Sequence, residues 1–253
     1  MRRLRGLLVA DPCIVLATIL FGSISLIVSF FDRRGVIQIR VARAWARTLL
    51  AVSGVQVKVE GLEHIASTGS YVFISNHLSF LDTPVVLANI PVQFRFLAKR
   101  GLFQIPLLGQ HLSRAGHIPV PREDPRAAVK TMQLAAETIQ RKKISLLIFP
   151  EGGRSHGGEL QPFKEGGAYI AIRARVSVVP IAISGTRELL PWGSGVALSG
   201  KVSLRILKPI QTTDLSLKDR AMLTEQVRTL IGQELKFNSS LSLQAQSHRF
   251  ARE

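Results

Sequence analysis

The stretch Tyr71-Val72-Phe73-Ile74-Ser75-Asn76-His77-Leu78-Ser79-Phe80-Leu81-Asp82 runs from an apolar, β-rich segment straight into a histidine and a carboxylate five residues apart. Residues 71–75 predict a buried strand. Open α/β sheets place ligands at the C-terminal ends of their strands, which is where His77 and Asp82 would stand. Within one regular helix, residues five apart point about 140° away from each other, so the two can meet only if His77 lies in the turn before the helix. Asp82 would then fix the imidazole tautomer through one ring nitrogen and leave the other to take a proton from a hydroxyl. A helix cap or a bond to backbone is the competing use of such a histidine.

The same layout recurs downstream. The apolar run Ile144–Phe149 leads into Pro150-Glu151-Gly152-Gly153-Arg154-Ser155. Gly152 and Gly153 allow backbone amides to approach a ligand, Arg154 can grip a phosphate through two parallel hydrogen bonds, and Glu151 can accept from a substrate hydroxyl. A polar β-turn with a surface Arg–Glu pair is the plainer alternative. Lys99 follows the run Phe94–Ala98, and Arg122 follows His117–Pro121. Each is a further cation at a strand end.

Around these segments, seven β-rich runs beginning near residue 54 alternate with helical stretches, the pattern of an α/β sandwich. One helix opens with Asp124 as its cap and Pro125 in its first turn, with Ala128, Met132, Ala135 and Ile139 along one face. A second spans about Leu217 to Leu235, opened by Ser216 and Asp219, and would bury Leu223, Val227, Leu230 and Ile231. The Ser- and Gln-rich segment 238–253 is expected to fray.

From Cys13 to Phe31 there are nineteen residues without a charge, flanked by Arg2, Arg3 and Arg5 on one side and Arg33 and Arg34 on the other. That length just qualifies as a membrane helix, and it ends in Phe-Phe-Asp-Arg-Arg rather than at a small-residue cleavage site, so an uncleaved anchor is expected. Next, Arg40, Arg43 and Arg47 share one helical face while Val41, Trp45, Leu49 and Val52 share another. The pattern suits a helix lying in the plane of an anionic lipid surface, or else one packed on the domain. Residues 1–53 are therefore set apart as anchor and interfacial helices, and 54–237 as the principal domain.

Composition narrows the partners. The chain of 253 residues is 46% hydrophobic and carries 33 Lys and Arg against 17 Asp and Glu, a net charge of +16. A polyanionic partner follows, whether nucleic acid, anionic bilayer or phosphorylated substrate. Nucleic acid fits worst, because the cations are dispersed, aromatics make up 6% and no nucleic-acid module is recognisable. The single cysteine, Cys13, excludes an intrachain disulfide and a cysteine-based zinc site.

Taken in order, Asn76–Asp82, Lys99–Gly109, Gly116–Arg122, Phe149–Ser155 and Val178–Gly185 have the sequence and spacing of the glycerolipid acyltransferase motifs. The chain resembles the 1-acylglycerol-3-phosphate acyltransferases over about Gly61 to Gly185. The first motif matches at Asn76, His77 and Asp82; the third departs only at Gly153, where threonine is usual, and the second departs at Gly101 and Pro119. The resemblance implies a mixed, mostly parallel sheet flanked by helices and preceded by N-terminal membrane-associated helices. It also implies acyl transfer from acyl-CoA or acyl carrier protein, as co-substrate, to lysophosphatidic acid. No cofactor and no metal are required. His77 and Asp82 would be catalytic, and Asn76, Lys99, Arg122, Glu151, Gly152 and Arg154 would bind substrate. Another lyso-lipid acceptor, such as a lyso-ornithine lipid, and a non-catalytic lipid-binding protein are the alternatives. A compact module with an N-terminal anchor suits a bacterial cytoplasmic membrane.

Overall fold

The computed structural model of the protein describes residues 2–250 apart from Arg33, Arg122, Ser155 and His156, and describes the backbone alone for Arg2 and 238–250. Among the described residues seven strands form one sheet: β1 (Val55–Glu60), β2 (Val72–Ser75), β3 (Phe94–Lys99), β4 (Ile118–Val120), β5 (Ser145–Ile148), β6 (Val178–Ser184) and β7 (Gly200–Ile206). Their spatial order is β1-β7-β6-β2-β5-β3-β4. All neighbouring pairs are parallel except β6 and β7, so the sheet is mixed and mostly parallel, as the family resemblance implied. The central strands read as continuous apolar runs because helices cover both faces.

One face carries α3 (Val36–Ser53) and α4 (Asp82–Asn89), whose Ile39, Ala42, Ala46, Leu50, Val85 and Val86 pack with Phe73, Phe94, Leu147 and Ile181 of the sheet. The other face carries α6 (Pro125–Lys142), α7 (Gly166–Ala174) and α9 (Arg220–Phe250), with Ala135, Ile139, Ile170, Leu223, Val227 and Ile231 against Val72, Leu146 and Val178. The expected caps are present. Asp124 accepts from the backbone N–H groups of Arg126 and Ala127, and Ser216 with Asp219 forms a capping box before α9. Leu230 is half-buried rather than buried. The backbone after Asn238 continues α9 as helix to Phe250, since each added residue of an existing helix contributes one more backbone bond at little nucleation cost.

The N-terminal helices require a correction. α3 is a core helix, the second of the two readings its pattern allowed: Ala42 and Ala46 let it approach the sheet, and the Arg43 guanidinium turns inward to donate to the carbonyls of Ile90 and Val92 at 2.7 and 2.6 Å. An apolar stripe has the same spacing whether protein or lipid covers it.

Before α3, α1 (Arg2–Arg5), a π-helical stretch Gly6–Ala10 and α2 (Asp11–Ser29) form the one helical run, among the described residues, long and apolar enough to cross a membrane. Yet α2 is fastened to the domain along its length. Near its start the Asp11 carboxylate accepts from the Ala197 N–H. Midway Thr18 accepts from the Trp45 indole N–H at 3.1 Å. Towards its end the Ser25 hydroxyl meets Nδ1 of His111 in α5 (Leu108–Arg114) at 2.6 Å, and Arg114 donates to Ser29 and covers the Phe30 ring. These ties span about 27 Å at the helical rise per residue. The opposite face leaves Leu16, Leu20, Ile27, Phe30 and Phe31 exposed.

Candidate active site

β2 lies between β5 and β6 and runs parallel to both, so the chain leaves all three strands at the same edge of the sheet. Ile74 pairs with Ile148, and three residues beyond that pair come His77, after β2, and Glu151, after β5. The two motif loops are neighbours by register alone.

His77 lies in the turn after β2, and Asp82 is the first residue of α4. That arrangement permits the i, i+5 pair: Nδ1 of His77 is 2.9 Å from Oδ2 of Asp82. The same oxygen accepts from the backbone N–H groups of Leu78 and Ser79 at 2.7 and 2.8 Å. An ionised carboxylate only accepts, so Nδ1 carries the ring proton and Nε2 presents a lone pair. Asp82 is wholly buried, whereas the His77 side chain is 18% exposed, enough for a substrate hydroxyl to reach it. The imidazole lies against the Phe149 ring, with centroids 4.1 Å apart and planes at 17°. Phe149 was not singled out from the sequence as a site residue. Its position at the head of Phe-Pro-Glu-Gly-Gly-Arg is the one signal available.

Asn76 lies beneath this turn, fully buried. Its amide donates to the Ile183 carbonyl at 2.9 Å and accepts from the Ile183 N–H at 2.8 Å. Both ends are thus used in joining the end of β2 to β6.

Glu151 also faces backbone. Oε1 accepts from the His77 N–H at 2.6 Å and Oε2 from the Gln161 N–H at 2.9 Å. Burial pushes its carboxyl above the ordinary value, while the Gln161 and His77 amides pull the other way. Gly152 adopts φ of +77°, and a Cβ there would come within 3.0 Å of the Lys164 ammonium. Lys164, anchored by its N–H on the Pro150 carbonyl, is a second cation on this loop that the sequence reading missed, because it belongs to the next segment.

The Arg154 guanidinium carbon is 3.4 Å from the Phe80 ring centroid and 3.9 Å from that of Trp192. Lys99 is exposed at the end of β3. It shares the active-site edge but stands two strands from β2, about 10 Å at ordinary strand spacing. Arg122 lies outside the described residues. The structure therefore gathers His77, Asp82, Glu151, Gly152 and Arg154, keeps Asn76 as a fastener below them and leaves Lys99 at the periphery.

A histidine base fixed by a carboxylate beside an arginine and a glycine-lined loop suits attack by a hydroxyl on an activated carbonyl. The acyltransferase family model matches residues 56–184. The chain belongs to the acyltransferase family. A chloroplastic 1-acyl-sn-glycerol-3-phosphate acyltransferase of Brassica napus is 34% identical over 94% of this acyltransferase and 68% of its own length. The Saccharomyces cerevisiae 1-acyl-sn-glycerol-3-phosphate acyltransferase is 31% identical over 84% of the chain and 70% of its own length. Other plant relatives are matched over 48% to 57% of their length. The crystal structure of the 1-acyl-sn-glycerophosphate acyltransferase PlsC from Thermotoga maritima superposes with a TM-score of 0.79 at 25% identity, covering 94% of this acyltransferase and 98% of that chain. The protein is an O-acyltransferase.

Proposed function

We propose that this acyltransferase moves an acyl group from a thioester of CoA or acyl carrier protein to the free hydroxyl of 1-acylglycerol 3-phosphate, giving phosphatidic acid. The observation that carries this reading is the His77–Asp82 contact at 2.9 Å, with the imidazole partly exposed and the Arg154 guanidinium over the ring of Phe80 from the same turn. Nε2 takes the hydroxyl proton as the oxygen attacks the thioester carbonyl. The tetrahedral intermediate collapses, the C–S bond breaks, and the imidazolium returns its proton to the departing thiolate. Asp82 holds the ring and stabilises its charged form. The Ser79 hydroxyl donates to the Leu190 carbonyl at 2.9 Å and is not placed as a nucleophile, so no acyl-enzyme is invoked.

Arg154, together with Lys164 beside Gly152, supplies charge for the acceptor phosphate, which carries about −1.5 to −2 at neutral pH. Lys99, and by resemblance Arg122, extend that field. Glu151 acts on the substrate only indirectly, by fixing the His77 and Gln161 amides, and Asn76 acts through the sheet.

The exposed flank of α2 is the proposed seat on the bilayer. With ties to the domain from Asp11 to Ser29, this helix would lie side-on with Leu16, Leu20 and Ile27 in lipid, rather than span the membrane upright. The single-chain acceptor and two-chain product then have a short path to the site.

The test is acyl transfer by detergent-solubilised protein from labelled acyl-CoA or acyl carrier protein to a panel of lyso-lipids. Phosphatidic acid formed by wild type and lost in His77→Ala, with Arg154→Ala raising KM for lysophosphatidic acid, supports the assignment. Product from a different acceptor changes the substrate, and no transfer from folded protein overturns the reading.

A further inference from the structure

Phe80 and Trp192 are large aromatic residues left 64% and 46% exposed at the mouth of the site. Neither serves the core. They come from separate loops, Phe80 from the turn between His77 and Asp82, and Trp192 from the segment after the short helix α8 (Thr186–Leu189). The two loops are tied to each other by the Ser79–Leu190 hydrogen bond. Their rings lie over the Arg154 guanidinium, 3.4 and 3.9 Å from its central carbon.

A guanidinium whose faces are stacked on rings keeps its edges, and the edge is where its N–H groups match the oxygens of a phosphate in a bidentate pair. Stacking also restricts a side chain that otherwise has about 2 kcal/mol of rotamer entropy to lose on binding. Phe80 is three residues from His77, so the ring that holds the phosphate-binding group belongs to the same turn that holds the base.

We propose that Phe80 and Trp192 form an aromatic clamp that presents Arg154 edge-on to a phosphomonoester, and so act as positioning residues that set a preference for phosphorylated acceptors over unphosphorylated ones. The inference rests on the proposed acylation of a lyso-phospholipid and adds how the site selects it.

The experiment compares lysophosphatidic acid with 1-monoacylglycerol, which lacks the phosphate, as acceptors for the full chain in detergent. Phe80→Ala and Trp192→Ala should each raise KM for lysophosphatidic acid roughly 5- to 30-fold, the scale of a cation–π contact. Their kcat should stay within about twofold of wild type, as expected when binding alone is weakened. Turnover of monoacylglycerol should not change, and Trp192→Phe should restore KM. A purely structural role would depress both acceptors together. If Phe80→Ala fails to fold, Phe80→Leu and Trp192→Ala carry the same comparison. Wild-type activity with an unmoved KM in the doubly substituted protein, or equal losses on both acceptors, overturns the clamp alone. Wild-type protein that ignores lysophosphatidic acid overturns the functional reading beneath it.

Discussion

The backbone N–H of His77 donates to Oε1 of Glu151 at 2.6 Å, across a sequence separation of 74 residues. The bond joins the turn that holds the base to the loop that carries Arg154. Because Ile74 and Ile148 pair in parallel register, the two loops leave the sheet level with each other, and one carboxylate is long enough to hold both. Glu151 thus sets the spacing between the His77 turn and the loop that carries Arg154.

Replacing the base should separate chemistry from folding. His77→Ala removes a partly exposed side chain, so the thermal midpoint should stay near wild type while kcat falls about 10²- to 10⁴-fold. Asp82→Asn should lower kcat on a similar scale, since the amide can donate to Nδ1 and so favour the wrong tautomer. Acyl-transfer rates and thermal melts of the two variants check this. A His77→Ala enzyme with wild-type kcat would remove the mechanism.

Asn76→Ala should be a stability variant. It leaves the buried N–H and carbonyl of Ile183 without partners, at about 1–3 kcal/mol for each group. Urea unfolding should show that loss, while KM for lysophosphatidic acid in the folded enzyme stays unchanged. A raised KM would return Asn76 to the substrate.

Glu151 gives a pH dependence with a definite sign. Burial raises its carboxyl above the ordinary 4.5 in the folded state, so the native protein binds more protons than the unfolded chain just above that pH. The stability associated with this group is then fully present below 4.5 and lost as pH rises through the elevated folded value. Glu151→Gln removes that titration. Melts across the acid range should show wild type losing stability relative to the variant with rising pH, and an opposite slope contradicts the burial effect.

The seat on lipid is testable on the outer face of α2. Leu16→Glu with Leu20→Glu should abolish flotation with anionic vesicles, yet leave turnover of a short-chain, monomeric acceptor near wild type, because neither residue reaches the site. Unchanged flotation would remove α2 as the lipid-facing element. Deleting residues 1–53 is a poorer test, since it also removes Ile39, Ala42, Ala46 and Leu50 from the core.

The positions of the strands and the His77–Asp82 pair were legible because each depends on neighbours in the chain. Apolar β-branched runs mark strands, and a turn before a helix brings residues five apart together. Asn76 and Glu151 were legible as motif members, but their use was not. Both spend their polar atoms on backbone brought close by the sheet order β6-β2-β5, which no local pattern encodes. The stacking of Phe149 on His77, and of Phe80 and Trp192 on Arg154, is of the same kind.

By itself the sequence determined the α/β alternation, the pairing of a histidine with a carboxylate five residues on, the cationic balance and the apolar N-terminal run. These follow from residue type and short-range spacing. Only the tertiary structure decided that α3 is core, that α2 lies along the domain and that Glu151 joins two loops. The physical reason is that an apolar face or a carboxylate has the same local signature whatever covers it, and what covers it is set by residues distant in the chain.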